Sequence, residues 1–555
     1  MKLLARNTWN WLALAAAVVM PLAALAQDVK PVAVVSVASV EDTLSDVGYI
    51  TKAAGQEDLG RTAMLFGNAF TAGFDKKKPI GAYVLPQDGD FYVVAFIPVS
   101  DLDTILTTYE AQLGKPKDAG DGVLEVGMPQ SVFIKEQGGW AFVAREKEHL
   151  VGLPADPSAL LGTLPKDYNV ALRVLANNIP EDIKRWAIDV VKVSYEREFE
   201  KLAANTSPEE REAYEKLGRN SVAQFTRYIE ELEEATIGFN IDPVGKRTYL
   251  DVSALAKDGT ALARQFAMNT GLKTSFGGFK LPDASVTFNF VGKLTPEDIE
   301  QQLAAIATMK GQALKRIDDE DSIEAGKKDA YKEIVNKAID VLNSTIKSGK
   351  LDGGAALVLE PKNINFVAGG YIADGTTLEG AFRKIAEVAK DDPEAPKVTL
   401  DVATHGGVKF HTLSYPIPEA EAEIREFFGP TMDIVLGTSA DQVYLSFGKN
   451  AQPLIKKVMD QSATVADKDA LPVELNVSLL PILKFFSSVD DNPIVPALVS
   501  TLEKTGGDKI SFTSNASGRQ VLGRLEISEG ILKAVGEVGK SFGGGGIPGA
   551  LMLHR

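Results

Sequence analysis

Two apolar patterns alternate along this chain. Short β-branched runs end at Gly, Pro, Asn or Asp, and longer stretches place apolar side chains every third or fourth residue. Residues 31–39 (PVAVVSVAS) are of the first kind and predict an opening strand. Leu59, Ala63, Phe66, Phe70 and Phe74 recur at helical spacing over 58–74. A hairpin is predicted at 81–85 and 91–98, turning at Asp88-Gly89, and a helix at 101–113. Strands follow at 122–126, 131–135 and 140–144. Two long helices then begin at Pro180-Glu181-Asp182 and at Ser207-Pro208-Glu209-Glu210, where a Pro-led acidic turn and a capping pattern favour initiation. Strands at 236–241 and 248–254 and a helix at 260–268 close this half.

A comparable order recurs after residue 281. Leu164-Pro165 with Asn169, Val170 and Leu172 returns as Leu471-Pro472 with Asn476, Val477 and Leu479, 307 residues later (471 − 164). The hairpin residues Ala82, Val84 and Val93 match Ala356, Val358 and Val367 at a separation of 274 (356 − 82), and Ile237-x-Phe239 matches Ile510-x-Phe512 at 273 (510 − 237). The changing offset predicts extra material near 397–430 in the second half and an unmatched helical pair at 180–233 in the first. The expected fold class is α+β: two tandem, internally duplicated units, each a mostly antiparallel sheet with helices packed on one face. The expected segments are a signal peptide at 1–26, a first repeat unit at 27–271, a linker at 272–281, a second repeat unit at 282–540 and a flexible Gly-rich tail at 541–555.

The N-terminus adds an address. Lys2 and Arg6 precede an apolar run over 11–26, and Ala24-Leu25-Ala26 offers small residues for cleavage before Gln27. This predicts export through a cleaved signal peptide, to the periplasm or outside the cell, with no transmembrane segment after cleavage. The chain has no cysteine, so ordinary burial must stabilise it without disulfides. Its net charge of −16 becomes −18 once the two basic signal residues are removed (−16 − 2), a balance that argues against nucleic acid as partner.

Candidate chemistry is sparse. Of four histidines, His405 and His411 share a hairpin turning at Gly406-Gly407, where strand alternation places them on opposite faces and disfavours a shared metal. No Gly-x-Ser-x-Gly elbow, Walker motif or dinucleotide fingerprint occurs. The Asp318-Asp319-Glu320-Asp321 run lacks the spacing of a calcium loop and reads as the solvated start of the following helix or the loop before it. Tyr195, Phe199, Tyr214, Phe225 and Tyr228 are at helical spacing and read as core. No catalytic, cofactor-binding or metal-binding residue is assigned, and no cofactor is expected. The expected function is that of an exported, non-catalytic protein with a binding or structural role, its partner a protein or an apolar ligand. The alternatives are a carrier of lipid-like ligands in a groove between the two units, and an unrecognised hydrolase.

Overall fold

A computed structural model of the chain describes residues 30–541 apart from 128–129, 204–207, 322, 391–394, 467 and 491. The signal peptide expected at 1–26, Ser207 of the capping pattern and the glycines at 543–546 lie outside the described residues. Two compact units are formed, one by residues 30–52, 56–190 and 232–243, the other by 53–55, 191–231 and 244 onward.

The first unit contains β1 (Ala33–Val37), α1 (Val40–Ala53), α2 (Glu57–Phe70), β2 (Ile80–Gln87), β3 (Asp90–Pro98) and α3 (Leu102–Leu113). β4 (Lys117–Gly120), β5 (Val123–Val126), β6 (Val132–Gln137), β7 (Trp140–Ala144), α4 (Leu164–Asp167) and β8 (Val170–Val174) follow, then the start of α5 (Glu181–Ala203) and, later in the chain, β9 (Leu232–Asp242). Its strands pair antiparallel in the order β4–β5–β6–β7–β3–β2–β1–β8–β9. Asp88 and Gly89 both take positive φ (46° and 82°), the tight turn that joins β2 to β3. α1 and α2 approach closely because Gly60 and Gly67 leave no side chain between them. A Cβ there would lie 2.2 Å from Thr51 Oγ1 and 2.4 Å from Leu44 Cδ2.

The second unit holds the rest of α5, α6 (Pro208–Glu231), β10 (Arg247–Ala256), α7 (Ala261–Met268), β11 (Leu272–Lys273) and β12 (Val286–Lys293). Next come α8 (Pro296–Asp319), α9 (Ala325–Lys347), β13 (Lys350–Glu360), β14 (Asn363–Tyr371), α10 (Gly375–Ala389), β15 (Lys397–His405) and β16 (Val408–Pro416). After α11 (Ala422–Phe428), β17 (Thr431–Thr438), β18 (Gln442–Phe447), α12 (Ala451–Val465) and β19 (Asp469–Ala470), the unit ends with β20 (Val473–Ser478), α13 (Leu479–Ser487), α14 (Ile494–Thr505), β21 (Lys509–Ser517), β22 (Gln520–Ser528) and α15 (Glu529–Ser541). The antiparallel order is β15–β16–β17–β18–β14–β13–β12–β20–β21–β22–β10, with β11–β19 a separate pair.

The fold is thus mixed, with helices and antiparallel strands, but helices do not keep to one face. In the second unit Val358, Val367, Val435, Tyr444 and Phe410 pack with Leu454, Ile455 and Val458 of α12. α10 lies on the opposite face, its Phe382 ring centroid 6.2 Å from that of His411. In the first unit Tyr83, Val94 and Phe96 enter one core, while Val126, Ile134 and Ala141 meet Leu106 of α3 on the other side. The physical cause is that many strands are apolar on both sets of alternate positions. Neither face can then be left wholly to water.

Four sequence expectations change. The 272–281 stretch is not a free linker. Phe276, Phe279 and Leu281 are buried in the second core, and backbone groups of the segment bond to the buried side chains of Asp352, Asn289 and Ser462. Leu164-Pro165 does not open a strand but sits in the short helix α4, and Leu479 begins α13. The residues matched at a separation of 274 do not occupy the same register in their hairpins. Tyr83 faces Val94 as Ala356 faces Val367, whereas Val84 faces Val93 but Val358 faces Asn365. A one-residue slip of this kind exchanges the two faces of a strand. The second half also has a helical pair between consecutive strands, α13–α14 between β20 and β21, where none was expected. The acidic run at 318–321 begins in the last turn of α8, before the loop that leads to α9.

Candidate functional site: an apolar sheet face

The side of the second sheet opposite its packed core carries an unbroken apolar row. Each residue directly faces the next across neighbouring strands: Leu250, Leu525, Phe512, Leu475, Phe288, Ala355, Ala368, Leu445 and Leu436. Parallel rows lie on either side, Ile510–Val477–Val286–Leu357–Phe366–Phe447 and Val473–Phe290–Gly353–Gly370–Val443. Neither flank carries an ionisable side chain over these strands. Phe288 and Phe512 are each 37% exposed and Val252 is 52% exposed.

The distribution is inverted at β10 and β22. There the charged residues face the protected side, where Arg524 forms a two-pronged pair with Asp251 (2.8 Å each) and stacks 4.0 Å over Tyr249. The exposed side holds Leu250, Val252 and Leu525. Burying charge while exposing hydrocarbon is costly unless something covers the hydrocarbon.

The middle of the row is a shallow depression of about 290 Å³. Its floor comes from Ala355, Ala368 and Gly370, and its walls from Phe288 and Phe290 on β12 and from Val443 and Leu445 on β18. The floor is low because β13 and β14 pair small residues with small residues: Gly353 with Gly370, Gly354 with Gly369, and Ala355 with Ala368. On the core side the neighbouring glycines Gly354 and Gly369 admit large rings. A Cβ on Gly354 would meet Phe279 at 2.7 Å, and one on Gly369 would meet Tyr444 at 2.5 Å. Close core packing and an open floor therefore have a single cause in this hairpin. α13 (LLPILKFFS) contacts β13 and is apolar almost throughout, yet none of its residues is fully buried. A helix apolar on all sides is ordinarily buried, so its surface too is left incompletely covered.

The row ends at His411, which faces Leu436. Here α10 covers the sheet through a polar cluster. Asp401 takes a positive φ (54°) at an irregularity in β15, and its N–H donates to His411 Nδ1 at 3.1 Å. The neutral ring therefore carries its proton on Nε2, 3.4 Å from Thr438 Oγ1. Arg383 pairs with Glu379 (2.5 Å) and Asp401 (3.0 Å), and Lys409 pairs with Glu379 (3.2 Å). The hydrogen bond from Arg383 lowers the pKa of both carboxyl groups below their ordinary values, and burial lowers that of His411.

Glu379, Asp401 and His411 each offer an atom within 4.8 Å of the others, as a metal site would require. The donor set does not fit a divalent ion, because Arg383 and Lys409 already supply two positive charges to the carboxylates and His411 Nδ1 is engaged. This cluster is an ion-paired fastening of α10 to the β15–β16 edge. His405 lies on the other face, bonded to Asp460 of α12 at 2.7 Å, so the structure does not bring the two hairpin imidazoles together. Tyr195 packs across Gly218 with its hydroxyl donating to Tyr214 O (3.1 Å), and so joins α5 to α6.

A pH dependence follows from this cluster. Because the folded-state pKa of His411 is depressed, the unfolded chain binds the proton more readily. Its contribution is complete above about pH 6.5 and is lost as pH falls from there toward the folded value. The carboxylate contributions fail in the same direction, but only in the acid range through the lowered pKa values of Glu379 and Asp401. We expect β15–β16 amides to exchange faster at about pH 5.5 than at about pH 7.5, after correction for intrinsic rates, and His411→Gln to remove that step. A step of the same size in the variant would assign it to another group.

Sequence reading named none of the face-forming residues as a site. The usable signal was present: β1 and β13 are apolar at consecutive positions instead of alternating. No protein-family model, curated protein or solved structure matches this chain.

Proposed function

We propose that this is an exported, non-catalytic protein that binds apolar ligands, specifically hydrocarbon chains of lipid type, on the open face of its second sheet. The observation that carries the reading is the registered apolar row over the Ala355–Ala368 floor, exposed on the side opposite a packed core. Depression and rows lack ionisable groups, which favours a ligand that is neutral along its length. A peptide laid there would leave its amides without partners, at a cost of roughly 1–3 kcal/mol each. A hydrocarbon chain avoids this cost and gains about 0.8 kcal/mol per buried methylene. Burial of about eight methylenes corresponds to a Kd on the order of tens of micromolar before association costs.

The chain further reads as two repeats of one sheet. Two observations support this. Both sheets use one pairing order, with β1–β9 answering to β12–β14, β15–β18 and β20–β21. In addition, β10 pairs antiparallel with β22 about the central pair Asp251↔Arg524, residues 273 apart (524 − 251), the separation already found for Val94 and Val367.

Titration of the full chain with a fluorescent fatty acid tests the ligand reading. Saturable binding, weakened at least tenfold by Ala368→Trp with unfolding unchanged, is the expected result. Absence of saturable binding by the wild-type chain, together with lipid extracts free of bound ligand, would overturn it.

A further inference from the structure

We infer that the first unit carries a second, separate site for the same class of hydrocarbon chain, floored by Ala82 and Ala95; this rests on the ligand reading above. The open face of the first sheet has its own registered row. Ile237, Leu172, Val35, Ala82, Ala95 and Val143 face one another in turn across β9, β8, β1, β2, β3 and β7.

Strand for strand, this matches the row of the second sheet. A facing pair of alanines occupies the same two strands in both, Ala82–Ala95 and Ala355–Ala368, each 273 residues from its counterpart (355 − 82 and 368 − 95). Larger apolar residues flank both pairs, Val35 and Val143 in one and Phe288 and Leu445 in the other.

The reverse side is filled in the same manner. Tyr83, Val94 and Phe96 are buried there, and a Cβ on Gly81 would lie 2.4 Å from the Phe96 ring, so the reverse side has no room for a ligand. On the open side Val93 is exposed at 51%, and Val170 and Phe239 are also exposed. The row is closed at one end where α3 packs Leu106 against Ile134.

The flanking rows Val84–Ala33–Val174 and Ile80–Val37–Val170–Phe239 hold no ionisable side chain, so the occupant is neutral along its length. Valine replaces phenylalanine in the wall on β1, which leaves less surface to grip a chain. The first site is therefore the weaker of the two.

Native mass spectrometry and titration of the full chain with dodecanoate test the inference. Expected are two equivalents bound by the wild type, one by Ala95→Trp, one by Ala368→Trp and none by the double variant. A dodecanoate analogue bearing a diazirine supplies a readout that needs no substitution, with labelled peptides expected from β1–β3 as well as β12–β14. One equivalent removed by Ala368→Trp and untouched by Ala95→Trp, with labelling confined to β12–β14, would overturn the second site and leave the ligand reading standing. No binding by the wild type would overturn both.

Discussion

Replacing Asp352 with alanine is expected to destabilise the second unit by about 3 kcal/mol, the combined effect of two lost bonds to a buried carboxylate and the donors left behind. Asp352 is 3% exposed and accepts bonds from the Thr274 hydroxyl and from Ser275 N–H at 2.9 Å. Thr274 in turn accepts from Phe276 N–H, and Asn289 donates to Phe276 O, both at 2.9 Å. These buried side chains hold the 272–281 segment so that Phe276 and Phe279 enter the core. Without Asp352, the buried Thr274 hydroxyl loses its acceptor and the segment loses its anchor. Denaturant unfolding followed by hydrogen exchange in β13 and α12 would register the loss. Unchanged protection of those elements would show that the carboxylate does not hold the segment.

Arg524→Met is expected to cost a similar amount, about 3 kcal/mol, by removing the guanidinium from the carboxylate of Asp251, which is 2% exposed. The pair sits at the middle of the nine-residue β10–β22 ladder, and the Arg524 stack on Tyr249 is lost with it. Arg524 itself is partly exposed, which is why the expectation stays at the low end for a buried pair. The double variant Asp251→Leu/Arg524→Met should recover most of the loss, because burying two apolar side chains is often no worse than burying two paired charges. A double variant as unstable as the single one would show that the ladder needs the ion pair itself.

Much of the element order was legible from local pattern. The β2–β3 hairpin with its Asp88-Gly89 turn, the helices α3 and α7, and the strands β5, β6, β7, β9 and β10 all lie where alternation, turn residues and helical spacing place them. Register was less legible. Val84 and Val358 resemble each other in sequence yet occupy opposite faces, because apolar residues fill both faces and identity then says little about direction. The 272–281 segment misled for a related reason. Two adjacent glycines look like a flexible joint, but Gly278 is required by crowding: a Cβ there would lie 2.1 Å from Val458 O on α12. Local pattern also missed α1, α10 and α12–α15, among them the helix whose incomplete burial adjoins the proposed site.

From the amino-acid sequence alone came a cysteine-free α+β chain of acidic charge, with antiparallel strands and helices and no concentrated catalytic motif. These properties depend on residue type and on neighbours close in the chain. Only the tertiary structure decided which of two apolar faces is packed and which is left open. It also placed Ala355 opposite Ala368 as a floor, and covered His411 with α10. Each of these depends on pairing between residues distant in sequence, where the partner across the ladder, and not the local pattern, determines what a side chain meets.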